Sequence, residues 1–170
     1  PPQSDLEIIR VTAPEAALDG ASIDVSWTVR NNGPDNVANA WTDTVYLAPN
    51  GNLTGATVLG SFRIDPSLEA GKSYTRTIAF TLPTKIQGVY SIIVRTDTGG
   101  AVDPTRASNN QLSSGALVIS LRSRPDLQVT SAFGPESVTA GTVIDVTWTV
   151  ANLGSSATPP GGSRWTDSVY

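Results

Sequence analysis

Ile23-Asp24-Val25-Ser26-Trp27-Thr28-Val29-Arg30 alternates apolar and polar side chains without a break. A period of two puts Ile23, Val25, Trp27 and Val29 on one face of an extended strand and Asp24, Ser26, Thr28 and Arg30 on the other. One face then meets a core and the other meets water, as in an antiparallel sheet covered on one side. Trp27, central on the apolar face, has the bulk to fill the gap between two packed sheets. Working outward, the same reading predicts strands over residues 6–11, 41–47, 58–64, 74–82, 89–96 and 116–121, bounded by glycine, proline or asparagine. With 23–30 these make seven strands, and no stretch carries apolar residues at helical spacing. The expected fold is all-β, an antiparallel two-sheet sandwich.

The opening strands then recur. Asp5-Leu6, Pro14-Glu15, Gly20, Asp24-Val25, Trp27-Thr28-Val29, Asn31 and Gly33 return as Asp126-Leu127, Pro135-Glu136, Gly141, Asp145-Val146, Trp148-Thr149-Val150, Asn152 and Gly154, every pair 121 residues apart. WTDTVY at 41–46 returns as WTDSVY at 165–170, now 124 residues apart, so the intervening loop has gained three residues, where insertions are tolerated best. A repeat this long implies whole domains in tandem and not a solenoid of small units. Residues 1–121 therefore read as one complete seven-stranded module, 122–125 (Arg-Ser-Arg-Pro) as a short, semi-rigid linker, and 126–170 as the N-terminal part of a second, incomplete repeat. The first segment has the size of an ordinary domain, and the second is too short to bury a core alone.

Composition narrows the function classes. The chain has no cysteine, methionine or histidine, which removes thiolate nucleophiles, thiolate metal sites and the commonest general base, and so argues against several classes of enzyme. A net charge of -4 with only two lysines, Lys72 and Lys85, argues against nucleic acid or anionic membrane as partner. No apolar run approaches the roughly 20 residues that span a bilayer. A cysteine-free, mildly acidic β-chain rich in serine, threonine and asparagine fits an exported bacterial surface protein, with extracellular or cell-surface localisation.

The order and spacing of Pro125-Asp126-Leu127, the stretch 140–154, WTDTVYLA at 41–48, YTRTIAFTLP at 74–83, GVYSIIVRTD at 88–97 and the pair Asn109-Asn110 resemble the CARDB family, cell-adhesion-related domains found in bacteria. The resemblance covers nearly the whole chain. It implies an immunoglobulin-like or fibronectin-like sandwich repeated along large secreted or surface proteins, and it implies no catalytic residue. Where the family carries acidic residues before the asparagine pair, this chain reads Asp103-Pro104-Thr105-Arg106-Ala107-Ser108, which departs from the pattern.

Asp43 and its repeat Asp167 stand out, because alternation puts each on the same face as a tryptophan and a valine. A carboxylate facing a core requires hydrogen bonds or a cation. The plain expectation is a structural aspartate that accepts backbone N–H bonds or pairs with an arginine such as Arg95; the alternative is calcium, with Asp43, Asp97, Asp103 and Asn109 as ligands. Against calcium stands turn chemistry, since asparagine and aspartate also brace turns through their own side chains. Tyr90 sits where sandwiches place a corner tyrosine, or is an ordinary half-buried one. Asn52-Leu53-Thr54 matches a glycosylation acceptor that a bacterial source would leave unused. Lys72 and Lys85 read as solvated, too exposed for an isopeptide crosslink. Tyr46 is the exposed aromatic expected of a carbohydrate site.

Trp148, Trp165 and Val169 would form an exposed apolar face on the half repeat, the candidate interaction surface. Such a face is covered either by further sequence or by another chain, through strand complementation. The expected function is a non-catalytic spacer and adhesion or protein-interaction module. Two alternatives are a filament subunit assembled by strand exchange and an accessory or carbohydrate-binding domain beside a secreted hydrolase. Expected partners are other copies of the chain, neighbouring repeats, a surface protein or a polysaccharide.

Overall fold

In the computed structural model, which describes residues 4–65, 67–102, 104–158 and 164–170, the alternating stretch lies within a ten-residue strand whose apolar face is buried and whose other face is partly or fully exposed. In chain order the elements are β1 Leu6–Thr12, β2 Ala16–Leu18, β3 Ser22–Asn31, β4 Trp41–Pro49, β5 Thr57–Ile64, β6 Ser73–Thr81, β7 Gly88–Arg95, a 3₁₀ turn Pro104–Asn109, β8 Gln111–Ser120, β9 Leu127–Phe133 and β10 Thr147–Asn152. Contacts divide the chain into two units, Pro1–Leu121 and Arg122–Tyr170.

The first unit is an immunoglobulin-like sandwich of a three-stranded sheet, β1-β3-β6, and a five-stranded sheet, β2-β8-β7-β4-β5. All seven expected strands are present. Pairing is antiparallel except where β2 runs parallel to β8. Ile23, Val25, Trp27 and Val29 of β3 and Leu6 and Ile8 of β1 pack against Val45 and Leu47 of β4, Ile92 and Val94 of β7, and Leu117 and Ile119 of β8. Central β4, flanked by β5 and β7, is buried over most of its length, which explains why Trp41 to Ala48 lacks clean polar alternation.

Two elements were not legible in advance. β2 is three residues long and too short for a periodic signal. β8 begins at Gln111, five residues before the apolar run at 116, because Gln111 to Gly115 is recruited by backbone pairing with β7 and not by burial. The β7–β8 register slips between Ser91 and Ile93, and Ser114 Oγ accepts the Ile92 N–H at 3.0 Å there.

In the second unit β9 and β10 form an antiparallel hairpin, with Trp148 opposite Ala132. Its register irregularity falls between Thr149 and Val150, the counterparts of Thr28 and Val29, where the β1–β3 pairing also shifts. Residues 164–170 run outside regular strand.

Leu47 is fully buried on the central strand. Leu47→Ala should cost about 3 kcal/mol of unfolding free energy by urea titration, the usual range for a core truncation. A loss below about 1 kcal/mol would mean that the site collapses around the cavity or was never fully packed.

Candidate functional site

The alternation that turns Trp41 and Val45 of β4 inward turns Asp43 inward between them, and Asp43 is completely buried. Its Oδ2 accepts the Trp27 Nε1–H at 2.8 Å and the Tyr74 hydroxyl at 2.5 Å, while Oδ1 accepts the Thr96 hydroxyl at 2.7 Å. Trp27 lies on β3 and Tyr74 on β6, both in the three-stranded sheet; Asp43 and Thr96, just past β7, belong to the other. One carboxylate therefore ties the two sheets together with three charge-assisted hydrogen bonds. The expected Arg95 partner is a correction: Thr44 and not Asp43 is opposite Arg95, so Arg95 points out and is exposed. The expected backbone donors are likewise replaced by side chains.

Aromatic rings surround this hub. Trp27 stacks at a tilt on Phe62, centroids 5.8 Å apart, Phe62 meets Phe80 edge-on at 6.0 Å, and Trp41 meets Tyr74 at 6.1 Å. Burial pushes the Tyr74 hydroxyl well above its ordinary range; the adjacent negative charge of Asp43 and the hydrogen bond to it push further. Tyr74 thus stays a donor. Neither Tyr74 nor Thr96 was found from sequence, because nothing in local spacing connects β6 or the end of β7 to a residue on β4.

The other described site residues have hydrogen-bond partners of their own. Asp97, at φ 48°, accepts the backbone N–H of Ala101 at 2.7 Å and of Val102 at 3.1 Å, closing its loop by turn chemistry. Asn109 donates its amide to both Asp5 oxygens, at 3.2 and 3.3 Å. Asp103 lies outside the described residues. Asp43, Asp97 and Asn109 are thus engaged separately, and no group of three or more acidic residues among the described residues could share a metal ion. Asn52 Oδ1 accepts the Thr54 N–H at 2.8 Å, again a turn. Lys72 and Lys85 are exposed, Tyr90 packs partly buried against the core, and Tyr46 is half-buried and not the open platform expected of a sugar site.

The second unit repeats the local bonds of the first. Asn31 Oδ1 accepts the N–H groups of Asp5 and Gly33, and its Nδ2 donates to the Asp35 carbonyl. Asn152 Oδ1 accepts those of Asp126 and Gly154, and its Nδ2 donates to the Ser156 carbonyl. Trp148 Nε1–H donates to Asp167 Oδ2 at 3.0 Å, the counterpart of the Trp27–Asp43 bond. Trp148 and Val169 share a hollow of about 410 Å³ with Val129, Val146, Asp167 and Tyr170. Trp165 does not line it, although it too is exposed.

A family model described as CARDB matches residues 3–114. The chain belongs to the CARDB family. Its sandwich is similar to the crystal structure of the CARDB domain of a Pyrococcus furiosus protein in complex with di-metal ions, at 18% identity and a TM-score of 0.54, covering 69% of this chain and 90% of that one. The solution structure of the same domain gives 19% identity and a TM-score of 0.55, covering 72% and 100%. A β-glucosidase from Listeria innocua matches at 17% identity and a TM-score of 0.45, over 68% of this chain but 16% of the enzyme. No curated protein matches the chain. CARDB is a family of non-catalytic modules, consistent with a hub whose donors and acceptors all serve packing.

Asp43→Ala leaves three buried donors without an acceptor and should cost about 3–5 kcal/mol by chemical denaturation. Tyr74→Phe should cost about 1–2 kcal/mol. The two also predict a pH signature. The folded Tyr74 holds its proton above the unfolded value of 10.0, so its contribution is fully present below pH 10 and is lost as pH rises beyond it. Urea titrations from pH 8 to 11 should show native stability falling faster than that of Tyr74→Phe; parallel curves would remove Tyr74 from the linkage.

Proposed function

We propose that this CARDB chain is a spacer and adhesion or protein-interaction module of a large secreted or cell-surface bacterial protein, in which modules follow one another in tandem. The observation that carries the reading is the residue-by-residue return of the Asn31 and Trp27 hydrogen bonds at Asn152 and Trp148. The same local bonds, reproduced 121 residues on around Asn152 and, across a loop three residues longer, between Trp148 and Asp167, are what serial copies of one module require. The buried polar chemistry of the first unit is directed inward, at joining sheets, which suits a part that bears load and presents surface.

The proposal carries no metal. The di-metal ions belong to the Pyrococcus furiosus domain. Here both oxygens of Asp43 and of Asp97 already accept protein donors, and Asp5 already accepts Asn109. Chelation with EDTA should therefore leave the thermal midpoint unchanged, and a drop of several degrees would restore a metal to the account.

Adhesion is tested by coating a surface with the chain and measuring retention of bacterial cells, isolated surface polysaccharides and surface proteins against an uncoated control. Saturable retention of one class is the expected outcome. No retention in any class would sink the adhesive half of the proposal. Spacing is tested by pulling one molecule with an atomic-force probe, where the first unit should extend in one step of about 400 Å, the contour of some 120 residues. Gradual extension without a step would sink the load-bearing half.

A further inference from the structure

Tension along a row of modules enters each one by its first strand and leaves by its last, and in the first unit these two points lie at opposite ends. Asn31 Oδ1 accepts the Asp5 N–H and the Asp5 carbonyl accepts the Asn32 N–H, so the chain enters beside the end of β3. β1 then runs back along β3, from Leu6 opposite Asn31 to Thr12 opposite Ser26. Across Ala13-Pro14-Glu15 the chain changes sheets outside any strand, where proline removes no ladder bond. β2 keeps the same heading, because the carbonyl of Leu18, its last residue, accepts the Ala21 N–H just ahead of the start of β3. Ser120, where β8 ends, pairs with Leu18. Entry and exit are therefore separated by the ten-residue length of β3.

Resting on the load-bearing tandem reading, we infer that the parallel junction of β2 with β8 is a mechanical clamp, the site at which the first unit resists tension. A pull on the entering chain draws β2 toward its start, and a pull on the leaving chain draws β8 toward its end. Parallel strands drawn in opposite directions slide past one another, so the ladder between them is sheared and its bonds must fail together. A hairpin pulled open at one end gives way one bond at a time. In the clamp Ala16, Ala17 and Leu18 pair with Val118, Ile119 and Ser120. The Val118 N–H donates to the Glu15 carbonyl at 2.8 Å on one side of these pairs, and the Asp19 N–H donates to the Ser120 carbonyl at 2.9 Å on the other. Among the described residues no other strand pairing joins the entering run of chain, β1 and β2, directly to the leaving strand.

What β2 contributes is bonding more than burial. It has three residues, of which Ala16 and Leu18 are exposed and only Ala17 packs on the core, so little apolar area is at stake. Its far end is fastened all the same. Asp19, fully buried, accepts the Lys85 N–H through Oδ2 at 2.7 Å, and the Gly20 N–H donates to the Pro83 carbonyl at 3.1 Å. The clamp thus hands load from β8 to the loop after β6 as well as to the entering chain.

Successive residues of a strand turn their backbone polar groups to opposite sides, so Glu15, Ala17 and Asp19 face β8 and Ala16 faces away. Ala17→Pro therefore removes a clamp bond, and Ala16→Pro adds the same ring without removing one. Held at constant force between handles on the two ends of the 170-residue chain, the first unit of Ala17→Pro should unfold about fivefold or more faster than that of Ala16→Pro. In urea, where load has no direction, the two should unfold within about twofold of each other. Equal rates under force, or the same ratio in urea as under force, would overturn the clamp. A second measurement needs no proline: the chain lacks cysteine, so Asn52→Cys and Gln87→Cys place handles on two exposed loop residues at one end, where load peels β4 from β7 starting at Pro49 and Tyr90 and bypasses β2. The unit should yield at lower force in that direction than between its ends, and equal forces would also overturn the clamp. Failure of the load-bearing reading shows separately, as extension of the unaltered chain without a step.

Discussion

A sandwich can close over a buried carboxylate only when three donors arrive together, and Asp43 imposes that condition on the first unit. Apolar burial is non-directional and tolerates sliding of one sheet over the other. Asp43 does not: its two oxygens are satisfied only when β3 and β6 bring Trp27 and Tyr74 over β4 while Thr96 approaches from the end of β7. Any other alignment leaves a dry charge, a cost comparable with much of a domain's net stability. The aromatic rings around the hub, Trp41, Phe62 and Phe80, then exclude water and strengthen the same bonds.

The CARDB fold places its remaining polar side chains in a consistent way. Asn31 knits the chain entry at Asp5 to the turn after β3, Asp19 accepts the Lys85 N–H, and Asp97 closes its own loop. None is left in a cleft with a nucleophile or a partner acid, so the chemistry available to the module is binding through its surface and edges. In the second unit the same local bonds form around Asn152 and Trp148, because each joins residues within the hairpin or just beyond it.

Most of the architecture was readable from residue order because its causes are local. Period-two alternation announces a half-buried strand wherever it occurs, as at Ile23 to Arg30, and turn residues mark where strands end. Asp43 was recognisable as anomalous for the same reason, a carboxylate on an apolar face. Its partners are not local, and Arg95 is not among them because cross-strand pairing sets Arg95 beside Thr44. β2 and the first half of β8 escaped notice because backbone pairing alone places them, without a side-chain pattern.

By itself, then, the order of residues determined that this is an all-β chain, that its inward face carries Trp27 and Asp43, and that the opening strands recur. Those conclusions follow from periodicity and self-similarity, which need no knowledge of distant neighbours. Only the tertiary structure decided which side chains complete Asp43, that Tyr46 is half-buried, and that Asp43, Asp97 and Asn109 each have their own protein hydrogen-bond partners. Hydrogen bonds between β4, β6 and the end of β7 join residues 31 to 53 positions apart, and no local rule ranks such pairs before the sheets are packed.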